Sequence, residues 1–292
     1  ANIEPIVIAK WTFEPLLGTN ASPTPNIGSG SAALVGSMIT PGTATGINTA
    51  SGCGAQTSGQ SAWSIGSAAP GSTNESSGAR FLVSTAGHSN IVVSWEQRWS
   101  NTATNTVRLQ YTLNGSTWTN FTMTDDNTTY CLGSLNNGRF ETNTTSDNFR
   151  RISVNLSEIT GANDNPNFGI RVVAAHYQST GQFRQVATPA NVATAGTWRF
   201  DNVTFSGEEI NGPTSSVLNL DGSNSICEGE FTFANVVING GVSPFTIVVN
   251  DGTEDIVIED YISGSNFIIS PTATSTYTLV SVTDAENNEG AN

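Results

Sequence analysis

Along most of the chain apolar residues recur at every second position, the period of a β-strand with one buried face. The run IVVSWEQRW (91–99) sets Ile91, Val93, Trp95 and Trp99 on one side and Val92, Ser94, Glu96 and Arg98 on the other. VRLQYTL (107–113) alternates Val107, Leu109, Tyr111 and Leu113 with Arg108, Gln110 and Thr112. Asn114-Gly115 then predicts a tight turn into STWTNF, the signature of a hairpin. RISVNL (151–156) and FGIRVVAA (168–175) are further strands, and the one helical turn predicted is short, at Ser157–Gly161. One run breaks its own rhythm. In TWRFDNVTFSG (197–207) Trp198 and Phe200 share a phase, Val203 and Phe205 take the opposite one, and Asp201-Asn202 marks the slip. A bulge residue, a metal ligand and part of a ligand site are all open readings of Asp201.

Residues 18–78 are rich in Gly, Ser, Thr and Ala, but Cys53, Trp63 and Ile65 give them something to bury, which favours loops and edge strands over a linker. SGEEINGPTSS (206–216) combines Gly, Pro and Ser with the loss of all basic charge and reads as a boundary, with a linker at 208–215. Beyond it SVLNL, FTFANVVI, FTIVVN, DIVIEDYI, NFIIS and STYTLVSVTD follow at nearly regular spacing. The predicted fold class is all-β: a jelly-roll β-sandwich over residues 1–207 and an immunoglobulin-like β-sandwich over residues 216–292.

Charge changes this picture in one respect. Residues 1–205 hold all ten basic residues against eleven acids, whereas residues 206–292 hold thirteen acids and no Lys or Arg. Such a field repels nucleic acid and anionic membrane and attracts cations, so nucleic acid is not an expected partner. No run of apolar residues is long enough to span a membrane, and membrane insertion is not expected. The surface is polar but sparsely charged, as on secreted β proteins, and an Ala1 start is what cleavage of a signal peptide leaves; the expected location is extracellular. In an oxidising compartment Cys53–Cys131 is the pairing available within one domain, with Cys227 left as a buried free thiol.

For catalysis the sequence offers little. His88 and His176 are isolated, no GxSxG is present, and Arg98 and Arg108 offer Glu96 ordinary salt bridges, so no enzymatic activity is expected. Glycan binding asks for less: aromatic rings for the apolar faces of sugars, and Arg, Asn, Gln or Asp for their hydroxyls. The polar positions of 91–99 and 107–113 supply Glu96, Arg98, Arg108 and Gln110, while Trp63, Trp118 and Tyr177 lie in or near loops. The bland reading keeps Trp95, Trp99 and Tyr111 in the core and makes Glu96 and Arg108 a cross-strand ion pair. The expected ligand-binding set is Arg98, Arg108, Gln110, Trp118 and Tyr177. The acidic clusters at 251–260 and 284–292 would either bind calcium between domains or keep an exposed repeat soluble and blunt its edges.

The stretch NDNPNFGIRVVAAHYQ to GTWRFDNVTFSG (163–207), with WEQRWSNTATNTVRLQYTLNGSTWTNF (95–121) ahead of it, resembles a jelly-roll module of secreted proteins of Bacteroidetes-type bacteria, related in shape to galactose-binding-like carbohydrate-binding domains. SICEG, NGGVSPFTIVVNDGT and ISPTATSTYTLVSVTDAENNEG resemble the immunoglobulin-like repeats of bacterial surface adhesins and of gliding or secretion-system cargo. These resemblances imply a secreted or cell-surface protein whose partner is a glycan or another surface ligand. They imply equally a segment of a longer surface filament or secretion cargo, partnered by its other domains or by the secretion machinery, or the targeting appendage of a secreted enzyme. In the carbohydrate-binding relatives a structural calcium is held by an acid ending the first strand and an acid in the last strand, and the matching positions are Glu14 and Asp201. Against this stands an Asp201 that caps its bulge by accepting backbone N–H bonds beside a solvated Glu14, or an Asp201 in direct ligand contact.

Overall fold

The computed structural model describes residues 5–15, 20–46, 61–67, 73–142, 149–193, 196–285 and 287–290. The chain divides into two compact units, Ala1–Glu209 and Ile210–Asn292. Its helical content among the described residues is two 3-10 turns, Thr160–Ala162, where a short helical turn was expected, and Tyr177–Ser179, where none was.

Unit 1 is built on strands β1 (Ile6–Trp11), β2 (Ile27–Gly28), β3 (Ser31–Val35), β4 (Met38–Thr45), β5 (Ser61–Ser67), β6 (Gly78–Leu82), β7 (His88–Trp99) and β8 (Thr106–Thr112). It continues with β9 (Thr119–Asn120), β10 (Thr128–Tyr130), β11 (Gly133–Asn136), β12 (Arg139–Thr142), β13 (Arg150–Asn155), β14 (Gly169–Ala174) and β15 (Thr197–Glu209). One sheet has the order β10-β13-β7-β15-β1-β2, with β5 and then β4 added on β15; the other has the order β11-β12-β8-β14-β6-β3, with β9 on β8. Reduced to their central strands the sheets are β13-β7-β15-β1 and β12-β8-β14-β6, and from β6 to β8 and from β12 to β15 each strand lies in the sheet opposite its predecessor. That is the jelly roll.

The alternation explains which face each strand buries. Trp95 and Trp99 of β7, Val107 and Leu109 of β8, Ile170 and Val172 of β14, and Trp198 and Phe200 of β15 share one core with Trp11, Trp63 and Phe81. The rings interlock edge to face: Trp11 meets Phe81 at 5.3 Å, Phe81 meets Phe200 at 6.1 Å, and Phe168 meets Phe205 at 6.3 Å. Trp63, read as a possible platform, is completely buried and stacks on Phe13 at 6.0 Å. The hairpin after β8 is present, but its turn is not tight. Leu113 through Trp118 intervene, and Asn114 Oδ1 organises them by accepting the Ser116 and Thr117 N–H groups.

Unit 2 holds β16 (Pro213–Leu220), β17 (Thr232–Gly240), β18 (Phe245–Asn250), β19 (Asp255–Tyr261), β20 (Asn266–Ile269) and β21 (Thr278–Thr283) in two three-stranded sheets, β16-β17-β20 and β19-β18-β21. Val236, Ile247, Val249 and Val282 centre its core. Of the segment expected as linker, Glu208 and Glu209 end β15 and Pro213 begins β16, so only Ile210–Gly212 lies between strands. Cys131 is disulfide-bonded, and Cys53 lies outside the described residues. Cys227 is free but exposed, not buried as expected, because it sits in the loop ahead of β17 and outside the core.

Candidate functional site

The phase slip in β15 is a change of partner. Thr197–Phe200 pair with β5, whereas Val203–Gly207 pair with β1, and the register against β7 jumps between Asp201 and Thr204. Asn202 takes the positive φ (45°) that lets the strand resume with Val203 and Phe205 facing inward. Because β1 ends and β5 begins opposite this gap, their termini meet there. Glu14, just past β1, accepts the Ser61 N–H at the start of β5. Asp201 Oδ1 accepts the Asn202 N–H at 2.8 Å, and Oδ2 faces Gly46, where a Cβ would lie 2.9 Å from it and 2.3 Å from the Ser61 carbonyl oxygen.

Glu14 and Asp201 are thus brought to one place, around a carbonyl and a cradle that only glycine leaves open. The donors are all oxygens, which fits a hard cation such as calcium. Asp201 also bonds a backbone amide, as the capping alternative required, but Glu14 bonds one too, where that alternative left it solvated; no group of three or more His, Cys, Asp or Glu side chains gathers among the described residues. In unit 2 the acids serve the backbone as well: Asp251 accepts the Thr253 and Glu254 N–H groups, and Asp284 accepts those of Val242 and Asn288.

The expected ligand-binding residues do not share one face. β7 and β8 belong to opposite sheets, so their polar positions point away from each other. Arg98 lies on the β7 sheet directly opposite Arg199, in a depression of about 180 Å³ with Ser100, Asn101 and Thr197. The Glu96–Arg108 ion pair is excluded for the same reason: Glu96 accepts a hydrogen bond from Asn202, and Arg108 bonds Glu75 at 3.1 Å.

Arg108, Gln110 and Trp118 do come together, on the outer face of the β8 sheet. The register sets Arg80, Arg171, Gln110 and Asn120 in one row across β6, β14, β8 and β9. Arg171 Nε donates to Gln110 Oε1, Gln110 Nε2 to Asn120 Oδ1 at 2.5 Å, and Asn120 Nδ2 to Glu75 Oε2 at 2.8 Å; Glu75 Oε1 receives Arg108. The Arg171 guanidinium lies over the Trp118 ring, 4.7 Å from its centroid. Arg108 also donates to the Gly138 carbonyl at 2.6 Å and the Asn137 carbonyl at 3.2 Å, so it pins the loop between β11 and β12.

Arg139, one strand further out, plays the same part for the loop carrying Tyr177. It donates to the His176 carbonyl at 3.0 Å and Ser179 Oγ at 2.8 Å, while Glu141 accepts the Gln178 N–H. Burial lowers the Arg139 pKa and, secondarily, so does the like charge of Arg108; burial raises that of Glu141. Tyr177 therefore stands on the rim of the face, Arg108 and Gln110 are tied into its floor, and Arg98 has no part in it.

Sequence reasoning missed Arg171, Asn120, Glu75 and Arg80. Arg80 in GARFL and Arg171 in GIRVV occupy the polar phase of their strands, but which strands lie side by side was not in the pattern. A separate cavity of about 740 Å³ in unit 2 is lined by the loops at 223–228 and 271–279, and brings together one acid, Glu228, and one ring, Tyr277.

No family model matches the chain, and no curated protein matches it. Among solved structures it is similar to the CBM22-1–GH10 modules of the Clostridium thermocellum endo-1,4-beta-D-xylanase 10B complexed with xylohexaose, at 12% identity and a TM-score of 0.37, over 70% of this chain and 29% of that one. It is also similar to a beta-1,2-glucanase from Parabacteroides distasonis, at 10% identity and a TM-score of 0.31, over 99% of this chain and 38% of that one. The chain thus spans well under half the length of either, and at these values the likeness carries nothing about ligand or activity.

Proposed function

We propose that unit 1 is a non-catalytic glycan-binding module of a secreted or cell-surface protein, with the outer face of the β8 sheet as its site and unit 2 as an acidic spacer. One observation carries the reading. Five of the six tryptophans are 0–1% exposed in the core, whereas Trp118 stands half-buried on a sheet face whose polar side chains are already fixed by a continuous hydrogen-bonded network. A pre-ordered polar floor beside an accessible ring is what sugar recognition uses, since ring and hydroxyls are met without further ordering cost. A glycan array followed by calorimetry on the full chain tests this; saturable binding to a polysaccharide is expected, and silence across neutral and acidic glycans would contradict it. We propose further that Glu14 and Asp201 hold a structural calcium that ties the ends of β1 and β5 to β15.

A second reading, as a segment of a larger surface assembly, draws on unit 2. Val217, Phe233, Val237 and Ile268 share the outer face of β16-β17-β20 and are exposed, with Phe231 packed edge-on against Phe233 at 5.5 Å. Light scattering tests it: concentration-dependent self-association supports this reading, and a monodisperse monomer counts against it.

A further inference from the structure

Two arginines in the β8 sheet stand side by side with no acid between them. Arg80 and Arg171 are directly paired positions of β6 and β14 on the outer face. Like charges directly opposite each other destabilise a sheet. Here the row gives no relief: Ala33 flanks Arg80, and Gln110 and Asn120 follow Arg171. The neighbouring carboxylates are engaged elsewhere, Glu75 by Arg108 and Asn120, and Glu141 by the Gln178 amide. Arg80 is exposed, and its guanidinium makes no hydrogen bond or ion pair with any described residue. Arg171 donates through Nε to Gln110 alone, and burial lowers its pKa with no carboxylate to offset that cost.

This is unusual economy in a chain with ten basic residues against twenty-four acids. The geometry is also specific. With Nε held by Gln110 and the guanidinium plane set by Trp118, the remaining edge of Arg171 is the Nη1/Nη2 pair, a fork that matches a carboxylate or sulfate. Arg80 supplies a second guanidinium one strand away.

We propose that this face selects acidic polysaccharide, with Arg80 and Arg171 receiving the anionic group of a sugar placed beside Trp118. The inference rests on the glycan-binding reading of the same face and narrows it to uronate- or sulfate-bearing chains. The test is calorimetric titration of the full chain, at constant ionic strength, with polygalacturonate, with the same backbone methyl-esterified, with carrageenan, which bears sulfate but no carboxylate, and with neutral xylan. Polygalacturonate is expected to bind about tenfold or more tightly than its ester, the effect of one charge-assisted hydrogen bond. Arg80→Gln is expected to abolish that preference without lowering the melting temperature, since its side chain is exposed; Arg171→Gln should do the same where it folds. Carrageenan binding as tightly as polygalacturonate assigns the fork to any anion, and weak carrageenan binding assigns it to carboxylate. Equal affinity for acid and ester, or a preference that survives Arg80→Gln, overturns the inference while leaving the glycan reading intact. Failure to bind any of the four polysaccharides overturns both.

Discussion

Asn202 Nδ2 donates a 2.7 Å hydrogen bond to Glu96 Oε2, and the two residues are 3% and 1% exposed. The bulge residue of β15 thus holds a carboxylate that the neighbouring strand buries. Replacing it with alanine removes a donor from a buried carboxyl group and places a Cβ-bearing residue without a polar side chain at positive φ. Asn202→Ala is expected to destabilise unit 1 by about 2–3 kcal/mol. Tryptophan fluorescence in denaturant reads this directly, because every tryptophan lies in unit 1.

Calcium removal should act on the same junction. With an ion shared by Glu14 and Asp201, saturation at a hundred times its dissociation constant stabilises the folded unit by about 2.7 kcal/mol. A chelator should therefore lower the fluorescence melting temperature by several degrees, and Asp201→Ala should be insensitive to it. An equal response in the variant, or none in the wild type, would retire the site.

His176 makes the loop over Arg139 sensitive to pH. Its ring packs edge-on to Phe183 at 4.7 Å, and its pKa is lowered first by burial and then by the Arg139 charge, with Glu75 opposing. The folded state therefore resists a proton that the unfolded chain accepts near 6.5. Stability should fall as pH drops through that value and level off below the folded pKa. His176→Gln should show less of this loss between about pH 7.5 and pH 5. A wild type and variant with parallel pH profiles would contradict the assignment.

In unit 2 side chains complete a ladder that the strands leave unfinished. β20 pairs with β17 only as far as Asn235, and beyond it the Val236 N–H donates to the Tyr261 hydroxyl at 2.7 Å and the Ile238 N–H to Ser263 Oγ at 2.8 Å. Tyr261→Phe leaves the Val236 amide buried without that acceptor, at a cost of about 1–3 kcal/mol. Hydrogen exchange at Val236 is expected to accelerate; unchanged protection would show that another acceptor takes over.

Much of this architecture was legible because period-two patterning reports burial directly. Trp95 and Trp99 fell on the core side as their phase required, and the broken phase at Asp201-Asn202 marked a real bulge. What the pattern cannot carry is sheet membership. Arg98 and Arg108 sit in equivalent polar phases ten residues apart, yet they face opposite sides of the sandwich because the chain crosses between sheets after β7. The ring of Trp63 looked like a loop platform because its run is set in sequence rich in Gly, Ser, Thr and Ala, but β5 closes the core against Phe200. Arg171 was invisible as a partner of Trp118 because their contact depends on β8 lying between β9 and β14, a pairing that no local run encodes.

The central claim is that the outer face of the β8 sheet holds a sugar against Trp118. Affinity electrophoresis of the wild type and Trp118→Ala through gels cast with polysaccharide tests it most directly. The account predicts retardation of the wild type that the variant loses, with both unfolding at the same temperature. Equal retardation of the two proteins, or passage of the wild type unhindered through every neutral and acidic polysaccharide, would contradict it.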